Sequence, residues 1–263
     1  MARVRAVLID IDGVLTVSWR ALPGTVAAME SLRASGVHMA LLTNTTSRTR
    51  AAIGSLLAAA GFQVGVGQIL TAPTITAAYI AARYPGARCL LLNSGDIRED
   101  MAGILIADND DPAPDVVVIG GAGPEFSYHA LNRAFGHLRR GARFVAMHRS
   151  LYWRTDAGLQ LDGGAFVEAL ERAAGVTAEV TGKPAAAFFE AALANVGVGA
   201  GEAVMVGDDI EADVLAAQRI GITGVLVRTG KYLAETHENA TGAPDHVLGS
   251  FADLPALLAA LPA

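Results

Sequence analysis

A short apolar run that ends abruptly at two carboxylates, within residues 5–15, constrains the fold more than any other stretch of the chain. Residues 6–9 are apolar and partly β-branched, which is typical of a strand buried on both faces. Asp10 and Asp12 follow at a spacing of two and should point the same way, where they repel unless a cation or a shared proton lies between them. Gly13 permits a turn and leaves backbone N–H groups nearby. Such a strand end suits phosphoryl chemistry, although Asp and Gly are also common in surface turns.

The composition excludes several classes of protein. The 263 residues, of which 52% are hydrophobic, can bury a full core in one large or two modest domains. No uninterrupted apolar run reaches about 18 residues, so no membrane span is predicted. No signal peptide is predicted either, and the single cysteine, Cys89, fits a cytoplasmic protein with a buried structural thiol. A net charge of −6 without a basic stripe argues against nucleic-acid binding.

Strand-like and helix-like segments alternate along the chain, with a second strand predicted at residues 37–42. This alternation predicts right-handed crossovers and a doubly wound α/β core with a parallel sheet. The stretch 76–178 has its own alternation of predicted strands and helices, so we predict that it is an inserted α/β domain. The core domain would then comprise residues 1–75 and 179–263, interrupted by the insertion.

Four polar clusters each follow a predicted strand or a strand-like run. They are Asp10 with Asp12, Thr43 with Asn44, Lys183, and Asp208 with Asp209 and Asp213. Because ligands bind beyond the carboxyl ends of an open parallel sheet, we predict that these residues converge. Each cluster has a structural alternative. Besides the surface turn at Asp10 and Asp12, these are a turn at Thr43, a solvated loop at Lys183 and a helix cap at Asp209. The occurrence of all four after apolar strands favours a shared functional site.

The same clusters stand in four motifs, Asp-Ile-Asp-Gly-Val-Leu at 10–15, Leu-Leu-Thr-Asn at 41–44, Gly-Lys-Pro at 182–184 and Gly-Asp-Asp-Ile-Glu-Ala-Asp at 207–213. This set resembles the motifs of the haloacid dehalogenase superfamily of phosphatases. The insertion resembles the large C2-type cap of one subclass. Further stretches, including 227–231, are similar to the branch of phospholysine phosphohistidine inorganic pyrophosphate phosphatases. The resemblance implies a Rossmann-like core, a C2 cap and a Mg²⁺-dependent phosphatase that acts on small phosphorylated molecules.

The resemblance also implies roles for the carboxylates. Asp10 would be the nucleophile that forms an aspartyl phosphate, and Asp12 would be the general acid and base. Mg²⁺ would bind the Asp10 carboxylate, the Asp12 carbonyl oxygen and Asp208. Asp209 and Asp213 would lie behind these direct ligands and support them. Several members of the pyrophosphate branch carry Ser at the position of Asp12, so this chain departs from them there.

The remaining motif residues would bind the phosphoryl group. By the same resemblance, Thr43, the backbone N–H of Asn44 and those near Gly13 would hold phosphoryl oxygens. Lys183 would neutralise negative charge and orient Asp10. The bound substrate would therefore meet hydrogen-bond donors and one ammonium group beside the nucleophile.

A segment of the predicted cap, at residues 148–154, mixes cationic and aromatic side chains after a predicted strand. His148, Tyr152, Trp153 and Arg154 could contact an anionic or ring-bearing leaving group. The alternative is a β-hairpin stabilised by cross-strand aromatic packing. The sequence leaves both interpretations open.

Rival functions share parts of this pattern. A phosphotransferase would use the same intermediate, and a non-catalytic regulatory protein could use the same fold. A phospho-accepting receiver domain also carries Asp, Thr and Lys at strand ends, but it has no place for the insertion. The retained Asp10, Asp12, Lys183 and Asp208 argue against a regulatory protein. The expected partner is a small phosphorylated substrate, with no nucleic acid and no membrane, and the resemblance allows a homodimer formed through the cap.

Overall fold

Strands and helices alternate along residues 4–108, 110–155 and 158–261, which the computed structural model describes. The strands are β1 (Ala6–Asp10), β2 (Thr16–Val17), β3 (Arg20–Ala21), β4 (His38–Thr43), β5 (Ile69–Thr71), β6 (Arg88–Leu92), β7 (Leu105–Ile106), β8 (Val116–Ile119), β9 (Arg143–Ala146), β10 (Tyr152–Thr155), β11 (Gly158–Leu161), β12 (Glu179–Val180), β13 (Ala203–Gly207), β14 (Thr223–Val227) and β15 (His246–Leu248). The helices are α1 (Thr25–Ala34), α2 (Arg50–Ala59), α3 (Ala72–Arg83), α4 (Tyr128–Arg139), α5 (Gly163–Ala174), α6 (Ala186–Val196), α7 (Ala216–Gln218), α8 (Ala234–Glu238) and α9 (Leu254–Ala260). Among these described helices, none combines the length and the apolar character that crossing a bilayer requires.

The first of two compact units takes its described residues from Met1–Thr43, Arg50–Leu70 and Lys183–Ala263. Its sheet has the order β15-β14-β13-β1-β4-β5, in which the pairs from β15 to β4 are parallel. The strand β1 lies in the interior of the sheet and all five of its residues are buried. Because β1, β4 and β13 run the same way, their carboxyl ends meet at one edge.

The helices of this unit cover the faces of the sheet. The helix α1 places Met29 and Leu32 against Ile9 and Leu41 in one hydrophobic cluster. Full burial of each such side chain stabilises the fold by about 1.5–3 kcal/mol. The core therefore holds β1 rigidly and fixes the position of the residue that ends it.

The second unit comprises Asn44–Thr49 and Thr71–Gly182. It has its own five-stranded sheet, in the order β12-β9-β8-β6-β7, and all four pairs are parallel. A separate hairpin is formed by β10 and β11. Cys89 is buried in this unit, and burial raises the pKa of its thiol to about 11, in keeping with the predicted structural thiol.

The predicted boundary at residue 179 needs a correction. We predicted that the core resumes at Glu179, but β12 pairs with β9 in the second sheet, where Glu179 lies beside Val145. The Glu179 carboxylate also accepts hydrogen bonds from the hydroxyl groups of Tyr79 and Tyr84 of the same unit. A strand of two residues carries too little pattern to show which sheet it joins. Residues 71–75, predicted as core, likewise fall in the second unit, whose role as a cap stays a prediction.

Candidate active site

A buried ion-pair network lies at the carboxyl end of β1. The Lys183 ammonium donates a hydrogen bond to Asp10 Oδ1, and its Nζ lies 2.7 Å from Asp213 Oδ1. Each of the three residues is at most 5% exposed. Burial raises the pKa of Asp10, and it raises the pKa of Asp213 to about 6 although Lys183 acts to lower it. Burial opposes the charged ammonium, but the two carboxylates outweigh it and raise the pKa of Lys183. Lys183 is therefore a cation held beside Asp10.

Asp208 directly follows β13, the strand next to β1. Its side chain is buried, and its Oδ2 accepts a hydrogen bond of 2.6 Å from the backbone N–H of Lys231. The other carboxylate oxygen, Oδ1, has no hydrogen-bond partner among the described residues. Burial, followed by the charge of Asp10, raises the pKa of Asp208 to about 8. An unsatisfied carboxylate oxygen in this position is a free site for a cation.

Two glycines enclose the Asp208 carboxylate. Gly13 has φ +85° and Gly230 has φ +63°, and a Cβ at either position would lie 2.0 Å from Asp208 Oδ2. The Thr229 hydroxyl donates a 2.5 Å hydrogen bond to the Gly13 carbonyl oxygen, which links the two loops. Only glycine fits both the backbone conformation and the space available.

Replacing Gly230 by Ala should lower the free energy of unfolding by more than the strain that a positive φ alone imposes on alanine. The matched control is Gly36→Ala, because Gly36 has φ +78° and an added Cβ would meet nothing within 4 Å. A non-glycine residue in this conformation costs about 1–2 kcal/mol. We expect Gly230→Ala to cost about 1–3 kcal/mol more than the control, as overpacked positions do. Urea unfolding of both variants measures the difference, and equal losses would show that the Asp208 side chain and the Gly13 backbone both move aside freely.

Three buried carboxylates form a group that could hold a metal ion. One ligand oxygen from each of Asp10, Asp208 and Asp213 lies within 4.8 Å of the others. Asp213 already uses both oxygens, since Oδ1 pairs with Lys183 and Oδ2 accepts from the backbone N–H of Asp209 at 3.3 Å. Asp10 and Asp208 are therefore the members best placed to be direct ligands.

Asp12 and Thr43 lie at the carboxyl ends of their strands, where the sequence pattern predicts them. Asp12 follows β1 in an exposed position and forms an isolated bridge with Thr16, while Gly13 N–H donates to the Thr16 carbonyl at 2.7 Å. Surrounding atoms nevertheless desolvate the carboxyl group and raise the pKa of Asp12, although Lys231 and Lys183 act to lower it. Thr43 ends β4 one residue beyond Leu42, the partner of the last residue of β1, and it is buried.

Two other predicted site residues have different surroundings. Asp209 caps the helical turn at Ile210–Leu215, because its Oδ1 accepts hydrogen bonds from the backbone N–H groups of Glu211 at 3.1 Å and Ala212 at 2.9 Å. The helix-cap alternative for this residue is therefore what the structure shows. Asn44 follows Thr43 directly and belongs to the second compact unit.

The four predicted residues of the 148–154 segment also belong to the second unit. His148 is buried, its Nδ1 accepts a hydrogen bond from Ser150 N–H at 3.2 Å, and its Nε2 lies 3.9 Å from Asp162 Oδ1. Tyr152 is 61% exposed on β10, whereas the side chains of Trp153 and Arg154 lie outside the described residues. The predicted hairpin is present, but Tyr152 pairs with Leu161 and not with an aromatic residue.

The loop after β14 was missed as part of the site. It supplies Thr229, Gly230 and the backbone N–H of Lys231, all of which contact the Asp10–Asp208 region. The signal was available, since Arg-Thr-Gly-Lys follows an apolar strand in the same way as the other clusters. The strand-end rule should therefore have included a fifth cluster.

Comparisons with known proteins identify the family. Residues 7–106 match the haloacid dehalogenase-like hydrolase family, and residues 180–254 match the HAD-hydrolase-like family. The chain is 38% identical over 248 residues to haloacid dehalogenase-like hydrolase domain-containing protein 2 of Bos taurus, covering 94% of this chain and 93% of that protein. It is 40% identical over 238 residues to phospholysine phosphohistidine inorganic pyrophosphate phosphatase of Bos taurus, covering 88% and 86%. The solved p-nitrophenyl phosphatase from Archaeoglobus fulgidus has a TM-score of 0.90 at 28% identity, covering 97% and 99%.

The chain therefore belongs to the haloacid dehalogenase-like hydrolase family. It is an enzyme of the phosphatase type within that family. The resemblance drawn from the four motifs and the predicted α/β fold with parallel sheets are both confirmed.

Proposed function

We propose that this enzyme is a Mg²⁺-dependent phosphohydrolase that acts on small phosphorylated molecules through an aspartyl phosphate on Asp10. One observation carries the proposal. Asp10 ends the buried strand β1, and a buried ammonium, Lys183, is hydrogen-bonded to its carboxylate with Asp208 close by. A carboxylate that is fixed in position and has a cation beside it suits attack on an anionic phosphoryl group.

The residues present fit a magnesium ion. Asp10 and Asp208 offer hard carboxylate oxygens, and Asp208 Oδ1 is buried without a hydrogen-bond partner among the described residues. When ionised, the carboxylates of Asp10, Asp12, Asp208 and Asp213 outnumber the ammonium groups of Lys183 and Lys231 by two charges. A bound divalent cation would balance that excess and reduce the repulsion between Asp10 and a phosphate. Asp12 would add its main-chain carbonyl oxygen, as the family resemblance implies.

In the first step, an oxygen of the Asp10 carboxylate attacks phosphorus while the bond from phosphorus to the leaving oxygen breaks. Asp12 gives a proton to that leaving oxygen, and the phosphoryl group stays on Asp10 as an acyl phosphate. The raised pKa of Asp12 favours the protonated form that this step needs. Lys183 holds the attacking carboxylate in place through its hydrogen bond.

In the second step, water attacks the phosphorus of the acyl phosphate and the bond to the Asp10 oxygen breaks. Asp12 accepts a proton from the water, so inorganic phosphate leaves and both carboxyl groups return to their starting states. Thr43, the N–H of Asn44 and N–H groups near Gly13 are proposed to bind the phosphoryl oxygens. Asp213 would keep Lys183 oriented from behind.

The unit that contains Asn44–Thr49 and Thr71–Gly182 is proposed to be the C2-type cap. His148, Tyr152, Trp153 and Arg154 would then take part in selecting the substrate, and a homodimer would form through this unit. We further propose a cytoplasmic protein whose partner is a small phosphorylated substrate, without a nucleic acid or a membrane.

The proposed function is tested by release of inorganic phosphate. Para-nitrophenyl phosphate, alkyl phosphates, acetyl phosphate, inorganic pyrophosphate and a phosphoramidate are assayed with Mg²⁺, with and without a sugar acceptor. We expect phosphate release without the acceptor. Transfer that depends on the acceptor would instead indicate a phosphotransferase, and a folded protein without any turnover would indicate a regulatory role.

Replacing Asp12 by Ser should slow the first step most for poor leaving groups. General acid catalysis is worth about 10²–10⁴-fold, so phosphorylation of Asp10 by an alkyl phosphate should slow by about that factor. Acetyl phosphate has a better leaving group, so the rate at which it phosphorylates Asp10 should fall by a clearly smaller factor. Rapid-quench measurement of phosphorylated Asp10 separates this step from the second one. Equal slowing with both substrates would show that Asp12 is not the acid for the leaving group.

A further inference from the structure

Lys231 brings a second ammonium group to the site. Its side chain is exposed, and it forms no ion pair within the part of the chain that the structure describes. Lys183 is its opposite in both respects, since it is buried and already engaged by Asp10 and Asp213. Lys231 is therefore a cation at the site that is still available to a ligand.

The backbone of Lys231 is fixed at the site. Its N–H donates a 2.6 Å hydrogen bond to Asp208 Oδ2. The preceding residue, Gly230, packs so closely on Asp208 and Gly13 that an added Cβ would lie 2.4 Å from the Gly13 Cα. Thr229 is hydrogen-bonded to the Gly13 carbonyl oxygen. The lysine side chain thus begins from an immobilised residue beside the carboxylates and extends to solvent.

The charge of Lys231 acts on the groups that face it. Its ammonium is the strongest of the nearby cations in lowering the pKa of Asp12, ahead of Lys183. An exposed lysine is charged at neutral pH. The Thr229 hydroxyl of the same loop is hydrogen-bonded to the carbonyl oxygen of Gly13, the residue that follows Asp12, so Lys231 lies in a loop that adjoins Asp12. In the proposed function, Asp12 is the residue that faces the leaving group.

We propose that the Lys231 ammonium binds an anionic leaving group, so that substrates whose leaving group carries its own phosphate or carboxylate are preferred. Inorganic pyrophosphate is the simplest such molecule, because one phosphate is transferred to Asp10 and the other departs. This inference rests on the proposed function, in which Asp10 accepts the phosphoryl group and Asp12 faces the group that leaves. Lys183 remains the cation beside the nucleophile.

The test compares two substrates in three variants. Lys231→Met removes the charge but keeps the backbone N–H that binds Asp208, and Lys231→Arg keeps a positive charge. The matched control is Arg228→Met, because Arg228 is an exposed cation of the same loop whose Cζ lies 6.0 Å from the centroid of the Tyr232 ring. The kcat/KM values are measured with inorganic pyrophosphate and with para-nitrophenyl phosphate, whose leaving group carries no ionic charge in the substrate.

We expect the wild type to hydrolyse both substrates. Loss of a charge-assisted hydrogen bond in Lys231→Met should lower kcat/KM for pyrophosphate by about 10- to 100-fold. The value for para-nitrophenyl phosphate should change by less than about threefold, as expected where no such bond is made. Lys231→Arg should keep most of the preference for pyrophosphate, and Arg228→Met should leave both values near the wild type.

Three results would overturn the inference alone. They are equal losses on both substrates in Lys231→Met, the same selective loss in Arg228→Met, and a wild type that hydrolyses para-nitrophenyl phosphate but not pyrophosphate. Failure of the proposed function looks different, because Asp10→Asn would then retain activity on both substrates.

Discussion

Replacing Asp10 by Asn should lower kcat at least about 10⁴-fold on every substrate, since removal of a covalent nucleophile costs this much or more in other enzymes. The fold should survive, because Asn has the same shape and Lys183 keeps its partner Asp213. Burial raises the pKa of Asp10, so its ionised form destabilises the folded state at neutral pH. We therefore expect the variant to unfold at the same or a higher urea concentration than the wild type.

A second substitution separates charge from position in this experiment. Asp10→Glu keeps the carboxylate but moves it by one methylene group away from the geometry that Lys183 fixes. It should be nearly as inactive as Asp10→Asn. If the purified and folded Asn variant keeps more than about a few per cent of the activity, Asp10 is not the nucleophile.

Removal of divalent metal should have an effect of similar size. Activity should disappear in EDTA and return with Mg²⁺, because the excess of carboxylates beside Asp10 otherwise repels the phosphate. Ca²⁺ should not restore it, since its larger and looser coordination shell does not hold the same geometry. Full activity in the chelator would contradict a metal site at Asp10 and Asp208.

The pH dependence of metal binding gives an independent readout. The pKa of Asp208 is about 8 in the metal-free protein, above its ordinary value of 3.8, so this carboxyl stabilises the fold below about pH 4 and that contribution is lost as the pH rises through 8. Mg²⁺ competes with protons for the carboxylate and stabilises the folded state by mass action. The rise in Tm on adding Mg²⁺ should thus be larger at pH 8.5 than at pH 6. In Asp208→Asn the rise should be small at both values.

The strand ends made most of the core site predictable. Asp10, Thr43 and Asp208 each follow a run of buried residues, and a parallel sheet brings such positions to one edge whatever their separation in sequence. Lys183 was identified by its motif, and its ion pairs with Asp10 and Asp213 then followed from packing. The positions of Asp10, Thr43 and Asp208 needed only local pattern and one topological rule, whereas the role of Lys183 beside Asp10 was implied by the family resemblance.

The features of the fold and site that the sequence pattern could not predict depend on contacts between residues that are distant in the sequence. The role of Gly230 arises from the approach of Gly13 and Asp208, which no local spacing reveals. The strands β12 and β15 have two and three residues, too few to show alternation, and β12 was assigned to the wrong sheet. For Asp209, by contrast, the sequence already offered a helix cap as the alternative to a role behind the metal ligands, and its carboxylate does accept hydrogen bonds from the backbone N–H groups of the next turn.

The interior position of β1 also determines the order in which the molecule can be made. The strand β1 is synthesised before both of its neighbours. It pairs on one side with β4, but on the other side Ala6 lies beside Ala203 and Ile9 beside Val206. Until residues of β13 are synthesised, β1 exposes an unpaired apolar edge, whereas every strand of the second sheet precedes residue 183. Translation that stops between these points should leave a nascent chain with a complete inserted unit, an aggregation-prone first strand and no Asp208. The group of carboxylates at Asp10, Asp208 and Asp213 is thus completed only after the inserted unit has been synthesised.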